Sequence, residues 1–294
     1  MRIQEIGDSI WKIESEVVGK SVAILGGVHG NERTGIDVVK ALQKEFSDGL
    51  RMLEQGTLYL VLGNLRAIEI NERSSGNEQD LNRMFSAERL AQAPDGTYED
   101  ARAREIANKV LKNVEISIDI HSNNKPSVPF LACSGSEEHK KVYRWFTTDR
   151  NVTDPDFLLG GSAVTTDEYV DSLGGIGICY ETGLAGDTSR ANEVKEDCLN
   201  ILRDLKMLND AVELPIPTEK LLYKIVDRIM FTEAGFKYAD GMGVESFQPV
   251  KAGEVIGFIG DVPYQAKQDG CLMFPKPEHL FWLGTPVTWI AEKL

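Results

Sequence analysis

His29-Gly-Asn-Glu32 sets an imidazole and a carboxylate three residues apart, where an apolar, glycine-ended run gives way to a helix-like stretch. Both side chains can then face one point, and both are ligand types for zinc. A zinc held by three protein groups keeps a fourth position for water, which is the catalytic arrangement rather than the structural one. The third ligand must come from elsewhere, and the other histidines are His121, His139 and His279. His139 sits in Glu137-Glu-His-Lys-Lys141, a charged helix-like stretch expected to be solvated. His279 falls late in the chain. His121 closes a run in which Ile116, Ile118 and Ile120 alternate with polar positions, so it lies at a strand tip, where open α/β sheets place their sites. The same alternation puts Asp119 on the face that carries His121. Zinc-bound imidazoles commonly donate their second N–H to a carboxylate, and Asp119 is expected to serve His29 in this way.

Such a site needs strands whose ends converge. Residues 21–27 and 57–63 are short apolar runs ending in glycine and read as buried strands, with an amphipathic helix over residues 34–46 between them. Further helices are expected at 98–113, near 138–148 and at 191–208, and further strands at 116–121 and 176–181. Alternating strands and helices predict an α/β domain with a largely parallel sheet flanked by helices. Glu213-Leu-Pro-Ile-Pro-Thr218 breaks this pattern, since prolines so close together suit an extended linker. The expected division is therefore an α/β domain over residues 1–212 and a small all-β domain over 213–294. In the latter, β-rich runs such as 221–230 and 255–259 are separated by glycine-bearing turns.

Composition narrows the partners. The chain has 294 residues, 42% of them hydrophobic, enough for a large core, and carries a formal net charge of −14. Its average surface repels phosphate backbones and anionic headgroups, which argues against nucleic acid and membrane partners. Residues 1–15 are studded with charges and contain no apolar stretch of signal-peptide or membrane-span length, so the expected location is the cytoplasm. Cys133, Cys179, Cys198 and Cys271 form no Cys-x-x-Cys pair and read as reduced thiols, not as metal ligands. Gly26, Gly27 and Gly30 match no phosphate-loop pattern, so nucleotide binding is not expected.

The segment Gly26-Gly-Val-His-Gly-Asn-Glu-Arg-Thr-Gly35 resembles the first zinc motif of the succinylglutamate desuccinylase and aspartoacylase family, relatives of the zinc carboxypeptidases. Three more matches follow in order. Asp80-Leu-Asn-Arg-Met-Phe85 is similar to the family's Asp-Leu-Asn-Arg-x-Phe, Asp119-Ile-His121 to its Asp-Leu-His strand, and Glu181 in Tyr180-Glu-Thr-Gly183 takes the place of its catalytic glutamate. The resemblance implies a carboxypeptidase-like core and one Zn2+ per chain on His29, Glu32 and His121. It further implies that Asn82 and Arg83 hold a substrate carboxylate and that Glu181 is the general base. The arginine that polarises the scissile carbonyl would be Arg73, with Arg66 as the alternative, because residues 74–79 lengthen the loop before the Asp-Leu-Asn-Arg motif. The late β-region tyrosine of aspartoacylase has no counterpart here; Phe281 and Trp282 stand near its place.

The chemistry of the residues agrees with these roles. Arg83 offers a planar fork that matches a carboxylate bidentately, and Glu181 closes an apolar strand, where desolvation raises a carboxyl group towards the range useful for proton transfer. The expected activity is a zinc-dependent amidohydrolase that removes the acyl group from a small anionic N-acylated amino acid or similar amide. The alternatives are a metallocarboxypeptidase acting on short peptides and a zinc-binding module without turnover. Val250-Lys-Ala-Gly-Glu-Val-Ile-Gly257 also resembles a hairpin of biotinyl and lipoyl carriers, but Lys267 lacks a carrier lysine's setting, so the hairpin reads as architecture.

Overall fold

The computed structural model describes residues 1–76, 79–160 and 162–294. The apolar runs form the middle of a sheet. An N-terminal hairpin, β1 (Arg2–Gly7) and β2 (Ile10–Glu14), precedes β3 (Ser21–Gly26), α1 (Arg33–Ser47), β4 (Thr57–Leu62) and α2 (Leu65–Ile70). Then come α3 (Ala87–Ala91), α4 (Tyr98–Lys109), β5 (Ile116–Asn123), β6 (Phe130–Ala132), α5 (Glu137–Tyr143), β7 (Arg150–Thr153), α6 (Thr166–Ser172), β8 (Ile176–Leu184) and α7 (Ala191–Asp204). The remainder is β9 (Leu221–Met230), β10 (Lys237–Tyr238), β11 (Gln248–Val250), β12 (Val255–Ile259), β13 (Val262–Gln265), β14 (Gly270–Met273) and β15 (Pro286–Lys293).

Among the described residues, a 12-stranded mixed sheet runs β1-β2-β4-β3-β5-β8-β6-β7-β9-β15-β14-β11, and β10-β12-β13 make a second, 3-stranded one. The centre, β4-β3-β5-β8, is parallel. All eight residues of β5 are buried, as a strand covered on both faces requires. One apolar layer packs β3 and β5 through Val22, Ile24, Ile118 and Ile120 against Ile36, Val39 and Leu42 of α1 and Leu199 of α7. Ala23, Leu25 and Val61 face the other way, onto Ile106 of α4 and Val170 of α6.

Close backbone contact fixes how β3 enters α1. A Cβ added to Gly26 would lie 2.2 Å from the carbonyl oxygen of Gly35, and one on Gly30 would lie 2.0 Å from the backbone of Ala67 in α2. The glycines around His29 therefore serve packing. Beyond residue 212 the structure is β-rich as expected, yet the sheet does not stop there: β7 pairs in parallel with β9 from Arg150↔Leu221 to Thr153↔Lys224. Lys267 follows the β12–β13 hairpin and is ion-paired with Asp227 at 2.6 Å. No helix among the described residues is long and apolar enough to cross a membrane.

Candidate metal centre and active site

His29 and Glu32 lie in the turn between β3 and α1, and His121 projects near the end of the neighbouring β5. Each offers one ligand atom, and those atoms lie within 4.8 Å of one another. All three residues are buried. Glu32 occupies the N-cap position of α1 yet makes no side-chain capping bond, because its carboxylate is turned into the site. There Oε1 lies 2.8 Å from Nδ1 of His29, and Oε2 lies 2.9 Å from Nδ1 of His121 while accepting the Ser122 amide at 3.0 Å.

The far nitrogens of the two rings are also held. Nε2 of His29 lies 2.9 Å from Asp80 Oδ1, and Nε2 of His121 lies 2.9 Å from Asp119 Oδ2. Asp119 thus contacts His121, with which it shares a strand face, and not His29 as expected; the partner of His29 is Asp80, from the loop before the Leu81–Arg83 turn. A carboxylate on Nε2 places the proton there and leaves Nδ1 of both rings for a metal. Two imidazole nitrogens and a carboxylate, buried and each ring backed by a carboxylate, suit a divalent ion such as zinc. Electrostatics follow the same pattern. Burial opposes charge on Glu32, but His29 and His121 outweigh it and hold the carboxyl far below its ordinary value. Burial likewise opposes ionisation of Asp80, and His29 and Arg73 reverse that effect.

Asp80 also fixes Arg73, whose Nη2 lies 2.9 Å from its Oδ2, with Nη1 3.6 Å from Glu32 Oε1. Arg66 instead stacks over the Tyr98 ring at 4.2 Å and does not line the cavity. Of the two arginines, Arg73 is therefore the one beside the His-Glu-His cluster. The lengthened loop of residues 74–79 includes 77 and 78, which lie outside the described residues. Asn82 is buried, with Oδ1 accepting the Thr166 amide at 3.2 Å, and Arg83 is exposed, with Nη1 donating to the Asn82 carbonyl at 2.8 Å.

Glu181 stands across from His121 in the β5–β8 register. Its Oε2 accepts the Asn123 side-chain amide at 3.1 Å. Burial pushes its carboxyl up to about 7, with Glu32 adding to the rise and His121 opposing it. His29, Glu32, Arg73, Asn82, Arg83, His121 and Glu181 all line one cavity of about 620 Å³. Trp289 of β15 also lines it, together with Lys276 and Trp282 from the segment between β14 and β15. The positions of Asp80, Asn123 and Lys276 at the site were not among the expectations from sequence. Asp80 had an available signal, two positions before Asn82 in the same motif; the other two are joined to the site only by folding.

His139 departs from its expectation. It is buried, with Nδ1 2.9 Å from Ser136 Oγ and Nε2 3.0 Å from Asp171 Oδ1, so it ties α5 to α6 instead of meeting solvent. His279 is exposed in a short turn.

Fold and site together define a class: a mixed α/β protein with a His-Glu-His cluster able to hold a metal ion near its strand tips, open to a ligand-sized cavity. Within that class, the chain belongs to the succinylglutamate desuccinylase/aspartoacylase family, whose catalytic-domain model matches residues 18–205. It is 42% identical over 105 residues to a probable aspartoacylase of Nostoc sp., a match spanning 34% of this chain and 34% of that relative. A succinylglutamate desuccinylase of Pseudoalteromonas atlantica is 25% identical over 292 residues, covering 90% of this chain and 78% of the relative. Among solved structures, a succinylglutamate desuccinylase of Vibrio cholerae shares the fold with a TM-score of 0.78 at 16% identity, covering 97% of this chain and 85% of that one.

Proposed function

We propose that the protein is a zinc-dependent deacylase that hydrolyses the amide bond of a small, anionic N-acylated amino acid. His29, Glu32 and His121 would hold the ion. When bound, zinc supplies a Lewis acid and lowers the pKa of water towards neutrality. Glu181 takes a proton from the attacking water and passes it to the leaving nitrogen, for which a carboxyl near 7 is well poised. Arg73, fixed by Asp80, offers its guanidinium to the oxyanion, and Arg83 with Asn82 receives the substrate carboxylate. The observation that carries this reading is the placement of Glu181 and the His-Glu-His cluster on one cavity. The names of the sequence relatives support an N-acyl amino acid as substrate, and the free thiols support the cytoplasm as location.

The test is a panel of N-acetyl and N-succinyl amino acids beside N-blocked dipeptides, assayed before and after chelation and zinc return. The proposal requires N-acyl amino acids to be the faster substrates, with activity lost on chelation and restored by zinc. Faster cleavage of the dipeptides would favour a carboxypeptidase, and no hydrolysis by metal-loaded protein would make this a binding module.

A further inference from the structure

The C-terminal β region brings one cation to the cavity that the sequence reading did not use. Lys276 lies between β14 and β15, where its backbone N–H donates to the Val287 carbonyl at 2.8 Å and its Nζ stands 5.8 Å from the centre of the Trp289 ring. It lines the cavity that Arg73 and Arg83 also line. Arg73 is neutralised by Asp80, but neither Arg83 nor Lys276 has an ion-pair partner among the described residues. Two cations that line one cavity and have no ion-pair partner among the described residues give a protein of net charge −14 a local place to receive an anion.

We propose that Lys276 is a substrate-recognition residue, its ammonium and the Arg83 guanidinium forming a two-cation seat for the substrate carboxylate. This rests on the deacylase reading for the identity of the anion, whereas the seat itself rests on the cavity wall. Burial, then Arg73 and Arg83, push the ammonium down to about 8, with Asp80 opposing; a bound carboxylate would reverse that strain. The seat would draw on both parts of the chain: the α/β part supplies the His-Glu-His cluster and Arg83, and the β region supplies the second charge.

The test uses the full-length, zinc-loaded protein, with succinate as anionic probe and succinamide as its neutral match, titrated calorimetrically into wild type, Lys276→Met and Lys276→Arg. Succinate affinity should fall about tenfold or more in Lys276→Met and return to within about threefold of wild type in Lys276→Arg, with succinamide unaffected. On any N-acyl amino acid that is turned over, Lys276→Met should raise KM by a similar factor and leave kcat within about twofold. Wild type that binds no succinate, or a folded Lys276→Met that binds it as well as wild type, overturns the proposal. Succinate binding that depends on Lys276, in a protein that hydrolyses no N-acyl amino acid, would leave the seat standing and overturn the deacylase reading.

Discussion

On the proposed mechanism, burial and function pull the same way at Glu181. Burial pushes its carboxyl up to about 7, within the range useful for proton transfer near neutral pH. Its basic form is lost as pH falls through that value, and a bound dication, by favouring the carboxylate, moves the midpoint lower. The acid limb of kcat/KM should therefore lie at or below about pH 7. Glu181→Gln should keep its metal and lose about a hundredfold or more in kcat; full turnover with metal retained would assign the base elsewhere. Asp80 carries a different load, since it touches both His29 and Arg73. Asp80→Asn should weaken metal affinity by about ten- to a hundredfold and slow turnover even at saturating metal. A chelator competition assay with kinetics on the same samples separates the two effects.

One scale up, the site depends on how closely β3, α1 and β5 approach. Gly26 faces the Gly35 backbone, and a Cβ on Gly35 would lie 2.6 Å from the Ile120 carbonyl oxygen, one residue before His121. Gly35→Ala should thus destabilise the fold by about 1–3 kcal/mol and displace His121 from its ligand partners. Urea unfolding with metal analysis checks both, and an unchanged midpoint would mean the contact relaxes without strain. These central elements were legible in the sequence because both faces of their strands are buried, which writes an unbroken apolar run, and because α1 is strongly amphipathic. The hairpin β1–β2, the short strands β6 and β7, and α6 left no comparable mark. β6 has three residues and β7 four, too few for any periodicity, and Asp167 and Thr166 of α6 are buried polar groups that disguise its inner face. His139 misled for a related reason: lysines and glutamates on either side of it meet solvent while the imidazole turns inward to Ser136 and Asp171.

For the molecule as a whole, the sheet continues from β7 to β9, and Phe130 and Val152 pack in one cluster with Ile225, Met273 and Trp289. The C-terminal β region is bonded into the main sheet and also walls the cavity. A chain truncated after residue 212 should expose the β7 edge and fail to give a compact monomeric protein; size-exclusion chromatography and circular dichroism would show this, and a folded, active fragment would make the β region dispensable. Net charge works at the same scale: because −14 repels anionic ligands at a distance, carboxylate binding must come from the local cations and should weaken as salt screens them. Above all else stands the metal. Zinc per chain should be measured by elemental analysis on wild type, His121→Ala and Glu181→Gln prepared side by side, with turnover of the best N-acyl amino acid recorded on the same samples. About one zinc in wild type and in Glu181→Gln, little in His121→Ala, and turnover in wild type alone is the predicted result. Full zinc in His121→Ala, or undiminished turnover in wild type stripped of metal, would contradict it.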